Sequence, residues 1–400
     1  MTESAVLPAT RRAWPRAAWL ITAAGWGANQ FSPLLGAYRR EMGLSAATVT
    51  GLFAIYVVGL VPGLLMGGPG ADRYGRRPVV IGAVVLSVLA TGALLLGEVG
   101  TVWLGVGRFA SGFAMGAVLA AGSAWVKELS HPPHDDAVEG TGARRASLFL
   151  SGGFGIGGLV AALIAQWAPL DLAYLPHLVL SVVAVVAALR VPETAPSVVA
   201  GKRETGIRDP RFRRMVVPVA PWVFAAPATG FAILPSVVES RLGDAETVFA
   251  GVAIAVVLGF GLLVQPVGRQ LAARSILLPA LAGLAATGTG MLIGVAAAVT
   301  EQPVLALVAD AALGCGYGLC VTFGLTEIAR IAPPGGLARL ASVFWALTYI
   351  GFCAPYIFAL LTQVTTPPVI LGCAAALAFL TGAGVALRHR SATTERTNRG

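Results

Sequence analysis

Gly68-Pro69-Gly70-Ala71-Asp72-Arg73-Tyr74-Gly75-Arg76-Arg77 is the stretch on which the reading of this chain turns. Four charges, three glycines and a proline fall within ten residues, between apolar runs at 46–67 and 78–97 that hold no charge at all. Each run is about as long as the 20 residues a helix needs to cross hydrocarbon. Charge confined to the gap between two such runs is what a membrane–water boundary imposes.

Ten more runs of the same kind flank this pair, at 17–37, 101–125, 146–167, 172–189, 215–236, 247–267, 275–299, 303–325, 340–362 and 368–387. Across the 400 residues 56% are hydrophobic and only 12% charged, with mean hydropathy +0.78. Soluble domains carry roughly 25% charged residues, so a soluble class is excluded. The runs are twice too long for barrel strands and do not alternate. The fold class is an all-α polytopic membrane protein with twelve transmembrane helices. The net charge of +9 lies in the gaps rather than on one face, so no nucleic-acid partner is expected. The four cysteines lie inside apolar runs without metal-ligand spacing.

Basic residues set the orientation. With a cytoplasmic N-terminus, 24 of the 28 Lys and Arg residues fall on the inside; Arg39, Arg40 and Arg241 fall outside, and Arg108 lies within a run. The even helix count then puts both termini in the cytoplasm. The domain reading is a tail at 1–16, a six-helix bundle at 17–189, a basic linker at 190–214, a second bundle at 215–387 and a tail at 388–400. An internal repeat supports the division. Gly68, Asp72, Gly75 and Arg76 are echoed at identical spacing by Gly261, Gln265, Gly268 and Arg269; Arg108-x-x-x-Gly112 is echoed by Asp310-x-x-x-Gly314; Pro33 and Pro235 form a third pair. Duplicated halves around a central pathway are how many transporters place substrate near the midplane.

On these residues the chain resembles the major facilitator superfamily. Gly68, Asp72, Arg73, Gly75, Arg76 and Arg77 are similar to that family's loop 2–3 motif, and Leu104-x-x-x-Arg108-x-x-x-Gly112 resembles the helix-four motif of its proton-coupled members. The resemblance extends over the whole chain and implies two pseudo-symmetric six-helix bundles. Val191-Pro192-Glu193-Thr194 is a weaker likeness. One stretch departs: Gly153-Phe154-Gly155-Ile156-Gly157-Gly158 has Phe154 where the drug-exporting branch carries proline, so export rests on no motif.

The resemblance implies a gating role for the loop motif, with Asp72 facing the start of helix eleven near Gly335 to Ala338. A helix N-terminus suits a carboxylate there, through its unpaired N–H groups and dipole. Arg73 is placed to pair with Glu128 at the inner end of helix four. Arg108 and Asp310 are the charges inside runs, where a charge costs about 2.5–3.5 kcal/mol on insertion scales. Arg108 is read as binding an anionic group or tuning an acid, the alternative being bonds to carbonyls of neighbouring helices. Asp310 is the proton-coupling candidate, because a carboxylate whose hydration alternates can take up and release a proton. Trp26, Asn29 and Gln30 on helix one, and Trp222 and Phe231 on helix seven, are candidate substrate contacts. Interhelical bonding and core packing are the competing reading for these five. His131, His134, Asp135 and Asp136 read as a solvated loop.

The functional expectation is a secondary transporter working by alternating access, with proton-coupled efflux of a small amphiphilic compound leading and metabolite uptake second. Its partners are a small-molecule substrate, protons and the lipid bilayer, and the chain is expected to act as a monomer without cofactor, metal or catalytic site. ATP-driven pumping is disfavoured, since no Gly-x-x-x-x-Gly-Lys phosphate loop is present. A membrane enzyme would need clustered acids, histidines or a loop domain that the gaps do not offer.

Overall fold

The computed structural model describes residues 13–138, 140–194, 206–333 and 336–397, with the side chains of 338 and 390–397 excepted. Most of the N-terminal tail, the centre of the linker, the last residues and Gly335 therefore lie outside the described residues.

Helix α1 (Trp14–Asn29) leads the chain. Among the described residues, eleven helices after it are long and apolar enough to cross a membrane. They are α2 (Ala46–Tyr74), α3 (Arg76–Glu98), α4 (Thr101–Glu128), α5 (Thr141–Trp167), α6 (Leu170–Ala188), α7 (Phe212–Val237), α8 (Gly243–Arg274), α9 (Leu278–Thr300), α10 (Pro303–Ile331), α11 (Arg339–Leu361) and α12 (Pro367–His389). The twelve runs read from the sequence thus become twelve helices, and the bounds shift by a few residues at most ends.

The first run is the exception. It is not one helix to residue 37: α1 stops at Asn29, a 3₁₀ turn covers Ser32–Leu34, and a short helix resumes at Leu35–Met42. Pro33 accounts for the break, because a proline ring clashes with the carbonyl four residues back, here Asn29, and offers no N–H to it. Its repeat partner Pro235 also sits beside an irregular stretch, the π turn Thr229–Ile233 of α7. The pairs 33/235 and 108/310 share one offset of 202 residues.

The repeat is also legible in packing. Gly59, Gly63 and Gly67 of α2 lie directly on backbone atoms of Phe109, Phe113 and Ala117 of α4, where any Cβ would collide. In the second half, Gly314 and Gly318 of α10 lie on the carbonyls of Val257 and Gly261 of α8 in the same fashion. Without a hydrophobic force between helices in lipid, such close approach supplies the van der Waals contact that holds them.

Contacts divide the described residues into two compact units. One holds those of Met1–Phe31, Val58–Val160 and Ala168–Ala200; the other holds those of Ser32–Val57, Ala161–Trp167 and Gly201–Gly400. The first has Leu20, Ile21, Trp125 and Tyr174 at its core, the second Phe53, Tyr56, Phe323, Phe344 and Tyr349.

Candidate functional site

The loop motif forms a knot inside the first unit. Gly75 adopts φ +99°, and an added Cβ would lie 2.7 Å from the Glu193 carboxylate. That conformation and that proximity both require glycine. The turn lets α3 begin against Glu193, which accepts the backbone N–H of Arg76 at 2.6 Å and of Arg77 at 3.0 Å. A carboxylate on the free N–H groups of a helix start is favoured by geometry and dipole together.

The arginines extend the knot. Arg76, almost fully buried, joins Asp72 at 2.8 Å and Glu128 at 3.2 Å. Glu128 also accepts a bond from the Thr194 hydroxyl. Arg77 donates to the carbonyls of Leu189 and Val191, both at 3.3 Å, and Trp125 donates to the Pro192 carbonyl at 3.1 Å. The partner of Glu128 is thus Arg76 rather than the expected Arg73, whose guanidinium lies over the Tyr74 ring at 5.2 Å. The reason is position: Arg76 is buried at the first turn of α3, while Arg73 is exposed at the end of α2. Gly68 has open space around it. Glu193 and Thr194 are bonded members of this knot that the candidate set missed. Their signal was the Pro-Glu-Thr step after the sixth run, an acid within a basic segment.

Within the bilayer zone, Arg108 is fully buried. It donates to the Ala28 carbonyl at 3.2 Å and lies over the Phe31 ring at 4.8 Å. The break in α1 helps to explain this contact, since an interrupted helix frees carbonyls near its end. The carbonyl-bonded alternative for Arg108 therefore has its partner on the page.

Asp310 is also fully buried, but neither carboxylate oxygen has a hydrogen-bond partner among the described residues. It lies against Gly230 in the π turn of α7, with Val257 of α8 alongside; a side chain at Gly230 would overlap the carboxylate. An unpaired carboxylate at such depth costs several kcal/mol unless a cation or proton reaches it.

The five polar and aromatic candidates separate. Asn29 donates to the Phe154 carbonyl of α5 at 2.8 Å. Gln30 donates to the Thr91 hydroxyl at 3.0 Å, the start of a buried network through His177 Nδ1 (2.9 Å) to Ser87 and Ser181 around His177 Nε2. Trp26 packs on Gly157 of α5. In the second unit, Trp222 donates to Thr381 of α12 at 3.3 Å, while Phe231 lies 6.1 Å from Phe53 and 6.4 Å from Phe352 in a ring cluster. Phe224 is the hub of that cluster, 4.4 Å from Tyr349, 4.8 Å from Phe352 and stacked on Tyr317 at 5.9 Å. His177 was missed because one histidine in an apolar run carries no spacing signal. In the loop after α4, Asp135 pairs with Arg145 at 2.5 Å, so that loop is tied to α5 rather than merely solvated. Among the described residues no cluster of three or more His, Cys, Asp or Glu side chains could hold a metal ion.

Comparison with known proteins gives this geometry a family. The model of the Major Facilitator Superfamily matches residues 17–356. The chain is 28% identical over 370 residues to the probable nitrate/nitrite transporter NarK2 of Mycobacterium tuberculosis, covering 84% of this chain and 85% of that protein. It is 26% identical over 386 residues to a chloramphenicol resistance protein of Pseudomonas aeruginosa, covering 88% and 84%. It shares its fold with the crystal structure of a POT family transporter in complex with 5-aminolevulinic acid, with TM-score 0.77, 12% identity and coverage of 94% of this chain and 96% of that one. A twelve-helix chain whose loop motif, internal repeat and family match coincide belongs to the Major Facilitator Superfamily, and it is a membrane transporter rather than an enzyme.

Proposed function

We propose that this transporter is a proton-coupled antiporter that exports a small amphiphilic organic compound by alternating access. In this reading the sequence halves 17–189 and 215–387, joined by the linker 190–214, are the moving bodies. The chain acts as a monomer in the bacterial cytoplasmic membrane with both termini in the cytoplasm, as the basic residues suggest. The observation that carries the coupling is Asp310, a buried carboxylate with no partner among the described residues. Such a group is stable only with a cation or proton at hand, and it exchanges one when the site hydrates. The aromatic wall around Phe224 and Phe231 suits an apolar substrate body.

Purified protein reconstituted into vesicles with an imposed pH gradient tests the proposal. The expected result is proton flux that depends on added substrate and vanishes in Asp310→Asn while insertion is unchanged. Substrate-driven transport with no proton movement would overturn it. A second reading, uptake of a small metabolite, is favoured by Phe154 at the position where exporters carry proline; net accumulation against the imposed gradient's export direction would establish it instead.

A further inference from the structure

Pro33 and Pro235, the third repeat pair, line one cavity at the end of the second unit opposite the basic loops. Its volume is about 220 Å³, and its wall residues all lie within that unit. Each proline sits beside a helix irregularity, the 3₁₀ turn Ser32–Leu34 on one side and the π turn Thr229–Ile233 on the other. A helix that breaks or bulges departs from regular packing, and π turns are frequent at functional sites. The apolar wall includes Leu35, Val49, Phe231, Ile233, Ala250 and Phe358. Pro355 and Pro367 also line it, and like Pro33 and Pro235 they have no N–H to give. Three wall hydroxyls spend their protons on their own helices: Thr50 on the Ala46 carbonyl at 2.7 Å, Ser236 on Ile233 at 2.8 Å and Thr362 on Ala359 at 2.8 Å. What each still offers is an oxygen lone pair. The charges at the rim are matched, Arg39 with Glu239 at 3.2 Å and Glu246 with Arg40. The cavity is therefore apolar, rich in acceptors and balanced in charge. Neither Arg108 nor Asp310 lines it.

We propose that this cavity is an inhibitory binding site for a neutral, ring-sized amphiphile that carries a hydrogen-bond donor, with an alkylphenol as the type. An apolar cavity of about 150 Å³ holds benzene, so the larger volume here admits a ring with a short alkyl chain and a hydroxyl. The ring packs against Phe231 and Phe358, and the donor meets the hydroxyl lone pairs. A cation finds no unmatched carboxylate, and an anion meets acceptors. One wall belongs to residues 32–50 of the first sequence half, the other to α7, α8 and α11 of the second. A ligand seated between them favours the form in which this end is shut. The inhibition rests on the alternating-access reading above; the binding site does not.

Equilibrium binding of 4-ethylphenol to the purified full-length protein tests this. The comparators are 4-ethylanisole, which keeps the body and lacks the donor, and the cation 2-phenylethylammonium. Saturable binding of the phenol is expected, with each comparator weaker by about three- to tenfold, the worth of one neutral hydrogen bond. Ala232→Phe, which fills the cavity from its wall, should abolish binding. The near-isosteric pair Thr50→Val with Thr362→Val should weaken it several-fold, which keeps the proposal testable should the Phe variant fail to fold. Amide exchange in Leu35–Met42 should slow several-fold when the phenol is saturating, and only in proteins that bind it. No saturable binding by the wild type, or equal binding by a folded Ala232→Phe, overturns the site. Anisole bound as tightly as the phenol, or the ammonium bound more tightly, overturns the ligand class. Saturable binding with exchange unchanged removes the inhibitory role. Absence of substrate-coupled proton flux in vesicles would sink the antiport reading and leave the binding result as it stands.

Discussion

Glycine at position 75 and glutamate at 193 are one device seen from two sides. The extended, positive-φ backbone at Gly75 (φ 99°, ψ 156°) lies in a region essentially restricted to glycine and costs a residue with a Cβ about 1–3 kcal/mol, and here the Cβ would also meet the Glu193 carboxylate. Gly75→Ala is therefore expected to lower the thermal midpoint of the solubilised protein. Glu193→Ala removes the acceptor for two N–H groups and should cost about 1–2 kcal/mol, the usual worth of a helix cap with its dipole contribution. In the Glu193→Ala background the alanine at 75 should cost less, since half of its conflict has gone; fully additive midpoints would show that the two do not interact. Asp72 behaves differently. Its side chain is 57% exposed and its pair with Arg76 spans four residues along the chain, a kind of bond worth only about 0.3–0.5 kcal/mol. Asp72→Asn should leave expression and thermal midpoint near wild type and still cut transport severely. Wild-type turnover in that variant would remove the gating role proposed for Asp72.

At the scale of elements, proline decides where a helix is continuous. Pro33→Ala restores an N–H that can reach the Asn29 carbonyl, so α1 should run on through residues 30–34. Amide exchange in that segment should slow, and transport should fall because the carbonyl ladder beside Ala28, to which Arg108 donates, is rearranged. Exchange no slower than wild type would show that something other than the proline ring holds the break. This element also marks the limit of what was legible in the sequence. Apolar length gave all twelve spans, because a bilayer imposes one number on every crossing. It could not give the break, since proline inside a membrane helix is tolerated wherever neighbours satisfy the freed groups. The loop motif was legible for the same reason that Glu193 and His177 were not. Charges clustered within ten residues form a local pattern, whereas the contact of residue 76 with 193, or of 91 with 177, is decided by which helices pack together. Among the candidates, Asn29, Gln30 and Trp222 turned out to bond to neighbouring helices, a choice that residue type alone leaves open.

For the molecule as a whole, alternation needs contacts that hold one end shut and can be broken. The end opposite the basic loops offers a set in the second unit. Arg40 pairs with the buried Glu246 and donates to Thr247 at 3.1 Å, Arg39 pairs with Glu239 at 3.2 Å, and Gln166 donates to the Asp244 carbonyl at 2.6 Å. Gly36 permits this closeness, because any side chain there would strike the Glu246 carboxylate. Arg40 and Glu246 come from opposite sequence halves. If those halves rock, this pair must part whenever that end opens. Removing one partner of a buried pair leaves the other uncompensated and is costly, here less so because Arg40 is nearly half exposed. Arg40→Ala is therefore expected to bias the protein toward the state open at this end. A cysteine placed at Ala250, which lines the cavity beside Glu246, should then react several-fold faster with a membrane-impermeant thiol reagent. The exchanged pair, Arg40→Glu with Glu246→Arg, should bring the rate back toward wild type. A disulfide between cysteines at Arg39 and Glu239 should instead stop turnover while leaving the single binding event intact. Undiminished turnover with that bond formed would mean that these two segments never separate during transport, and alternation at this end would have to be given up.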